Sequence, residues 1–174
     1  AINSPQLLQV SGIGNTQHLE TAGIKVQHEL DGVGENLQDH LEVYIQHKCT
    51  QAVTMQPALN WWTKPKTWYD WLVHRKGPGA SNHFEAGGFI RSSEAEPYPD
   101  VMIHFLPLAI RYDGSAPQAK QGYQIHIGPM RSESRGSIRS VSPDIRKHPK
   151  IQFNYLSTES DRNEWLKVIR AGRN

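Results

Sequence analysis

Apolar side chains recur at every second position in four separate stretches of this chain, and that period decides more about its fold than any other feature. Leu41, Val43 and Ile45 alternate with Glu42, Tyr44 and Gln46; Val101, Ile103 and Phe105 make a second set, Tyr123, Ile125 and Ile127 a third, and Ile151, Phe153 and Tyr155 a fourth. Successive side chains of a β-strand point to opposite faces of its sheet, so a period of two means strands with one face buried. Clusters of Pro, Gly and Ser separate the stretches, and connections this short predict antiparallel pairing. No alternating strand–helix–strand pattern is visible. The expectation is an α+β fold, a mostly antiparallel sheet with flanking helices.

Helices are signalled around these strands. Ser4-Pro5 places a capping residue before a proline at the first helical position, with Leu7 and Leu8 as the apolar side and Gly12 as the stop. Asn15 is expected to cap a second helix through Leu19 and Ala22, terminated by Gly23. Between Asn60 and Arg75, the three-and-four spacing of Trp68, Trp71 and Leu72 predicts an aromatic-faced helix ended by Gly77-Pro78-Gly79. Ser157 is expected to cap a last helix, in which Glu159 and Asp161 suit the dipole and Trp165, Val168 and Ile169 form a buried stripe. The expected segments are residues 1–40, a sheet-and-helix domain over 41–156, and 157–174 as the start of a helix.

Composition removes several classes of function. The 174 residues suffice for one ordinary domain, and the 37% apolar and 21% charged shares fit a globular protein. No uninterrupted apolar run approaches the roughly 18 residues of a membrane helix. A net charge of +2, evenly spread, argues against a nucleic-acid stripe. The single Cys49 offers neither a disulfide nor a CxxC pair. The chain opens Ala1-Ile2-Asn3-Ser4-Pro5 without an initiator Met or signal peptide and closes inside a helical pattern at 169–174; both ends are expected to be cuts in a longer polypeptide.

The motifs that invite chemistry are few. Gly12-Ile13-Gly14 and Gly32-Val33-Gly34 look like dinucleotide loops, but the third glycine of GxGxxG is replaced by Gln17 and Leu37, leaving turn glycines. Nine histidines include Asp39-His40 and His83-Phe84-Glu85, yet no HExxH pair or Pro-Cys-x-x-Cys exists to build a metal site, and no Gly-x-Ser-x-Gly elbow is present. Glu85 lies among Trp61, Trp62, Trp68, Trp71 and Phe84, with Tyr98 and Phe105 further on. A quaternary ammonium ion has no N–H to donate, so aromatic faces and one carboxylate are what hold it, at ~0.5–2 kcal/mol per well-placed ring. The same tryptophans also read as core, and Glu85 beside Gly87-Gly88 also reads as solvent-facing.

The stretch from Ala1 to Gly14, Ala-Ile-Asn-Ser-Pro-Gln-Leu-Leu-Gln-Val-Ser-Gly-Ile-Gly, resembles the second signature of the glucose-methanol-choline (GMC) oxidoreductases, lacking only the glycine that would precede it. Gly32-Val33-Gly34-Glu35-Asn36-Leu37-Gln38-Asp39-His40 resembles the segment these enzymes carry about twenty residues later. Ala80 to Ser92, Pro99 to Phe105 and Ser132-Glu133-Ser134-Arg135-Gly136-Ser137-Ile138 are similar to the choline-oxidising branch of the family.

The resemblance implies an FAD-dependent oxidation of choline to betaine aldehyde, on the way to glycine betaine. It implies a chain lying mainly in the substrate-binding domain, with an incomplete FAD-binding part at its start. Glu85 matches the glutamate that holds the trimethylammonium head in choline oxidases. The FAD-cradling GxGxxG is expected before Ala1 and the catalytic His after Asn174, so no residue here is nominated as catalytic, FAD-binding or metal-binding. The implied partners are choline or a similar small alcohol and the remainder of the same polypeptide; the implied location is cytoplasmic or peripherally membrane-associated in a bacterium, mitochondrial in a eukaryote. A GMC oxidoreductase of another alcohol and a non-catalytic quaternary-ammonium-binding module stay open as alternatives. Because the flavin would be held elsewhere, the purified chain is expected to be colourless; a visible absorption spectrum showing stoichiometric bound flavin overturns that expectation.

Overall fold

The computed structural model describes residues 2–113 and 121–173; Ala1 and Asn174, quoted above at the two ends, lie outside them. In chain order the elements are α1 (Asn3–Val10), β1 (Ile13–Gly14), α2 (Thr16–Thr21), β2 (His28–Glu29), β3 (Val43–Lys48), α3 (Lys64–His74), β4 (Ala86–Ile90), β5 (Val101–Leu106), β6 (Gly122–Pro129), β7 (Ser137–Arg139), β8 (Lys150–Gln152) and α4 (Glu159–Arg173). The chain divides into two compact units, Ala1–His40 with Ser132–Asn163, and Leu41–Arg131 with Glu164–Asn174. Residues 132–156, expected in the sheet domain, thus group with the first forty. The reason is a set of backbone pairings: Leu37 and Gly136 exchange hydrogen bonds, and Ile138 N–H donates to Gly34 O at 2.6 Å.

The first unit is held by polar anchors more than by apolar packing. The inward side of α1 is Gln6 and Gln9, not Leu7 and Leu8, which are exposed. The Gln9 amide donates to Val33 O (3.0 Å) and Ile138 O (2.9 Å) and accepts from Ser140 N–H (2.7 Å). Irregular chain surrounds it, and each buried backbone group there needs a partner that only a polar side chain can give. Ser4 does not cap α1, which starts one residue earlier with no side-chain cap; Pro5 falls in the first turn, where its missing N–H costs no helical bond. Asn15 does cap α2, accepting from His18 N–H at 3.0 Å, and Gly23 follows with φ +73°. β1 and β2 pair in parallel, β7 and β8 antiparallel. The strand expected through Tyr155 stops at Gln152, because Asn154 and Leu156 adopt φ of 54° and 57°, incompatible with extended chain; the Phe153 and Tyr155 rings stack at 4.9 Å.

The second unit is the sheet, in the order β3-β6-β5-β4 and antiparallel throughout. Its register puts Val43, Ile127, Ile103 and Gly88 in one row and Tyr44, His126, His104 and Gly87 in the next. The first kind of row is apolar and the second polar, as the period of two requires. Val101 and Ile127 form the core of the apolar face together with Trp165 and Val168 of α4, flanked by Val43, Ile103 and Ile169. Burying such side chains stabilises by roughly 1.5–3 kcal/mol each. α3 forms where expected but ends on Arg75 in the left-handed region (φ 53°), with Arg75 and Lys76 N–H groups closing back on Trp71 and Asp70 carbonyls before Gly77 is reached. Its Trp68, Trp71 and Leu72 are exposed.

The first turn of α4 carries a buried carboxylate met by several hydrogen-bond donors. Thr158, not Ser157, caps it, accepting from Asp161 N–H at 3.1 Å. Asp161 is 2% exposed. Burial opposes its charge, but the hydroxyls of Ser134 and Ser132 and the N–H groups of Glu133 and Ser134 outweigh that cost and hold the carboxyl at about 2. A folded-state value below that of the unfolded chain stabilises at pH above the usual carboxylate range, and the contribution fades as pH falls through about 2. Asp161→Asn, which turns an amide N–H₂ toward these donors, is expected to destabilise by about 2–4 kcal/mol at pH 7. Urea unfolding at pH 7 and pH 2.5 checks this, the difference from wild type shrinking at the lower pH.

Candidate functional site

The polar face of the sheet concentrates the chemistry of the second unit. Even-numbered residues of β3, β5 and β6 point to it: Tyr44 and Gln46, His104, and Gln124 and His126. Glu42, just before β3, continues the row, since it lies against Gly128 of β6, where a side chain would strike Leu41 O. At the other edge, Glu85 directly precedes β4, whose Gly87 pairs with His104. The turn leading to Glu85 is tied locally. Ser81 Oγ accepts from His83 N–H (2.9 Å), Asn82 Oδ1 accepts from Phe84 N–H (3.1 Å), and His83 sits at φ 70°.

Glu85 is exposed, and its carboxylate accepts a hydrogen bond from the Ser81 hydroxyl. The rings named around it in sequence are dispersed. Trp61 stacks on Trp62, and Trp68 meets Trp71 edge-on along α3, all four exposed. Phe105 packs on Tyr123, and Tyr98 lies under the Arg131 guanidinium. Only Phe84 turns to the polar face, its ring 5.9 Å from His104 and 5.4 Å from His126.

The structure instead gathers rings around His126, which sequence reasoning did not single out. Its imidazole is 1% exposed, and Tyr44, Phe84 and Tyr112 stand 5.4–5.8 Å from it. The protonation of that ring follows from its partners. Ile110 N–H (3.1 Å) and the Gln46 amide (2.9 Å) both donate to Gln124 Oε1, so Gln124 turns its N–H₂ to His126 Nε2 at 2.7 Å. A nitrogen facing a donor must accept. Nε2 is therefore bare, and Nδ1 carries the proton it donates to Glu42 Oε1 at 2.7 Å. The Tyr112 hydroxyl closes the group, 3.3 Å from His126 Nε2. Burial, then the Glu42 charge, push the Tyr112 phenol up from its ordinary value, so it stays protonated. Alternation carried a signal for these residues, since Glu42, Tyr44, Gln124 and His126 all hold the polar parity, but only the pairing of β3 with β6 brings them together.

A dinucleotide cradle does not fit the described residues. Gly12 and Gly34 have φ of 84° and 85°, and a side chain at either would strike a carbonyl of the same unit, Lys25 O and Ile138 O respectively. They serve close approach of backbone to backbone, not an open phosphate loop. Among the described residues no group of three His, Cys, Asp or Glu is placed to hold a metal ion.

Comparison with known proteins places this geometry. Residues 1–42 match the N-terminal model of the GMC oxidoreductases. Over all 174 residues the chain is 55% identical to an oxygen-dependent choline dehydrogenase of Staphylococcus xylosus and 53% identical to one of Staphylococcus aureus, covering 31% of each. From end to end, the chain is similar to part of a GMC oxidoreductase. It spans about a third of the length of these curated relatives. Pyridoxine 4-oxidase from Mesorbium loti superposes with a TM-score of 0.76 at 26% identity, over 99% of this chain and 30% of the oxidase. A formate oxidase from Aspergillus oryzae RIB40, studied for its FAD modification, shares the fold with a TM-score of 0.87 at 23% identity, over 98% and 34%.

The hydrogen-bond chain through Gln124 fixes one tautomer. In the ¹⁵N spectrum of neutral His126, Nδ1 is expected to show the protonated, pyrrole-like shift and Nε2 the bare, pyridine-like one; the reverse order rules out the network as drawn.

Proposed function

We propose that this chain forms the alcohol-binding part of an FAD-dependent choline-oxidising GMC oxidoreductase, with Glu85 as the carboxylate that meets the ammonium head. The observation that carries the reading is the whole-chain identity of 55% to an oxygen-dependent choline dehydrogenase; the position of the exposed Glu85 directly before the edge strand β4 supports its part in it. Turnover in that reading would oxidise choline to betaine aldehyde and feed glycine betaine synthesis. The oxidation needs a hydride acceptor, which FAD would supply when bound; its GxGxxG cradle is assigned to the rest of a longer polypeptide.

What this chain's own residues contribute is binding and orientation. Ser81 fixes one Glu85 oxygen, and the left-handed turn at His83 holds the carboxylate at the edge of the sheet. A trimethylammonium group is attracted by such a charge without directed hydrogen bonds. Location in the cytoplasm or at the periphery of a bacterial membrane belongs to the same proposal; among the described residues no helix is long and apolar enough to cross a membrane.

One observation favours a second reading, a GMC oxidoreductase of an uncharged alcohol: the tryptophans do not enclose Glu85. Glu85→Gln in the full-length enzyme separates the two. A choline enzyme is expected to show KM for choline raised tenfold or more, with kinetics for the neutral isostere 3,3-dimethylbutan-1-ol about unchanged. Equal effects on both substrates, or on neither, favour the uncharged alcohol.

A further inference from the structure

We infer that Glu42, walled by Tyr44, Tyr112 and Phe84 around His126, forms a binding site for a methylated ammonium ion separate from the one at Glu85. The choice of ligand rests on the function proposed above; the geometry of the site does not.

Separation follows from the register. Glu42 stands at the β3 edge beside Gly128, whereas Glu85 precedes Ala86 at the β4 edge, where Ala86 pairs with Phe105, with β6 and β5 between the two edges. Three strand intervals put roughly 14 Å between the edges, and the offset in rows adds to it. The backbone positions that carry the two carboxylates are thus well apart, and Phe84, beside Glu85 in sequence, turns its ring toward the Glu42 side.

Among the described residues no Lys or Arg pairs with Glu42. Had His126 been an imidazolium, its hydrogen bond to Glu42 would be an internal ion pair with no net charge to offer. Gln124 prevents that by facing Nε2 with a donor, so the neutral ring fixes the carboxylate while leaving its negative charge available.

The walls suit a cation that cannot donate hydrogen bonds. Tyr44 and Tyr112 meet at 5.5 Å and 64°, and Phe84 approaches the same imidazole from its own turn. All three rings keep 40–59% of their surface exposed while converging on a ring that is fully covered. Exposed aromatic faces over a buried polar floor, with a carboxylate at the side, combine attraction by ring quadrupoles with attraction by charge. Glu42 Oε1 is taken by His126 and Gln124 Oε1 by Ile110 and Gln46, so a cation here meets ring faces and the remaining carboxylate oxygen.

The test is equilibrium titration of the intact flavoenzyme with tetramethylammonium chloride at constant ionic strength, with choline turnover measured on the same samples. Two cations per chain are expected in the wild type. Glu42→Gln is expected to weaken one of them at least tenfold, and Tyr112→Leu to do the same although it leaves the Glu42–His126 hydrogen bond in place; Glu85→Gln should weaken the other. A flavin spectrum matching wild type shows that each variant is folded. A single cation that is lost in Glu85→Gln and kept in Glu42→Gln and Tyr112→Leu overturns the second site and leaves the proposed function standing. Absent choline turnover in the wild type overturns the proposed function, while two cations per chain with that result would still support the site.

Discussion

The antiparallel register of β3, β6, β5 and β4 is the constraint on which the rest of the second unit depends. Side chains alternate across a sheet, so pairing Val43 with Ile127 and Ile103 forces Tyr44, His126 and His104 onto the opposite face. A slip of one residue would exchange the two sets, burying His126 against Trp165 and exposing Ile127. The apolar row packed under α4 therefore fixes the position of every polar group on the other side. Core packing and site geometry are one choice in this sheet, made by the same hydrogen bonds.

The first unit solves a different problem. With short strands and eight- and six-residue helices it has little regular pairing to satisfy its backbone, and buried amide and carboxylate side chains take that part. Gln9 answers three backbone groups from two segments, and Asp161 collects two hydroxyls and two N–H groups. Such anchors are demanding, since losing one leaves several buried groups without a partner. Gly34 belongs to the same arrangement: it lets Ile138 come close enough to be reached by the Gln9 amide.

How much of this was legible in the sequence differs by the range of the interaction. Period and caps are local, and they placed β3, β5, β6, α3 and α4, the Asn15 cap, and the buried stripe of Trp165 and Val168. The mixed fold and the likeness to GMC oxidoreductases were equally visible. Long-range polar contacts were not. Nothing within ten residues of Gln9 announces that its partners are Val33, Ile138 and Ser140, so Leu7 and Leu8 looked like the inward side of α1. Tyr155 looked like the end of a strand because its parity was right, while left-handed Asn154 and Leu156 cannot be seen in a hydropathy pattern. The ring cluster at His126 failed to show for a similar reason: Glu42 and His126 are 84 positions apart and meet only through strand pairing.

A buried histidine beside a carboxylate is usually read as an ion pair, and the difference made by Gln124 shows why the third partner decides. An amide can offer either end to a ring nitrogen, and with its oxygen turned to Nε2 it would accept from an imidazolium and complete a neutral pair with Glu42. Here the oxygen is already held by a backbone N–H and by Gln46, so the amide must donate, and the ring nitrogen it faces accepts. The backbone at Ile110 thus sets the charge of a face of the sheet from two hydrogen bonds away. Polar networks of this kind carry function because each member has one allowed role, and the charge left over falls on the one group at the rim, Glu42, where its side chain is about half exposed and within reach of a ligand.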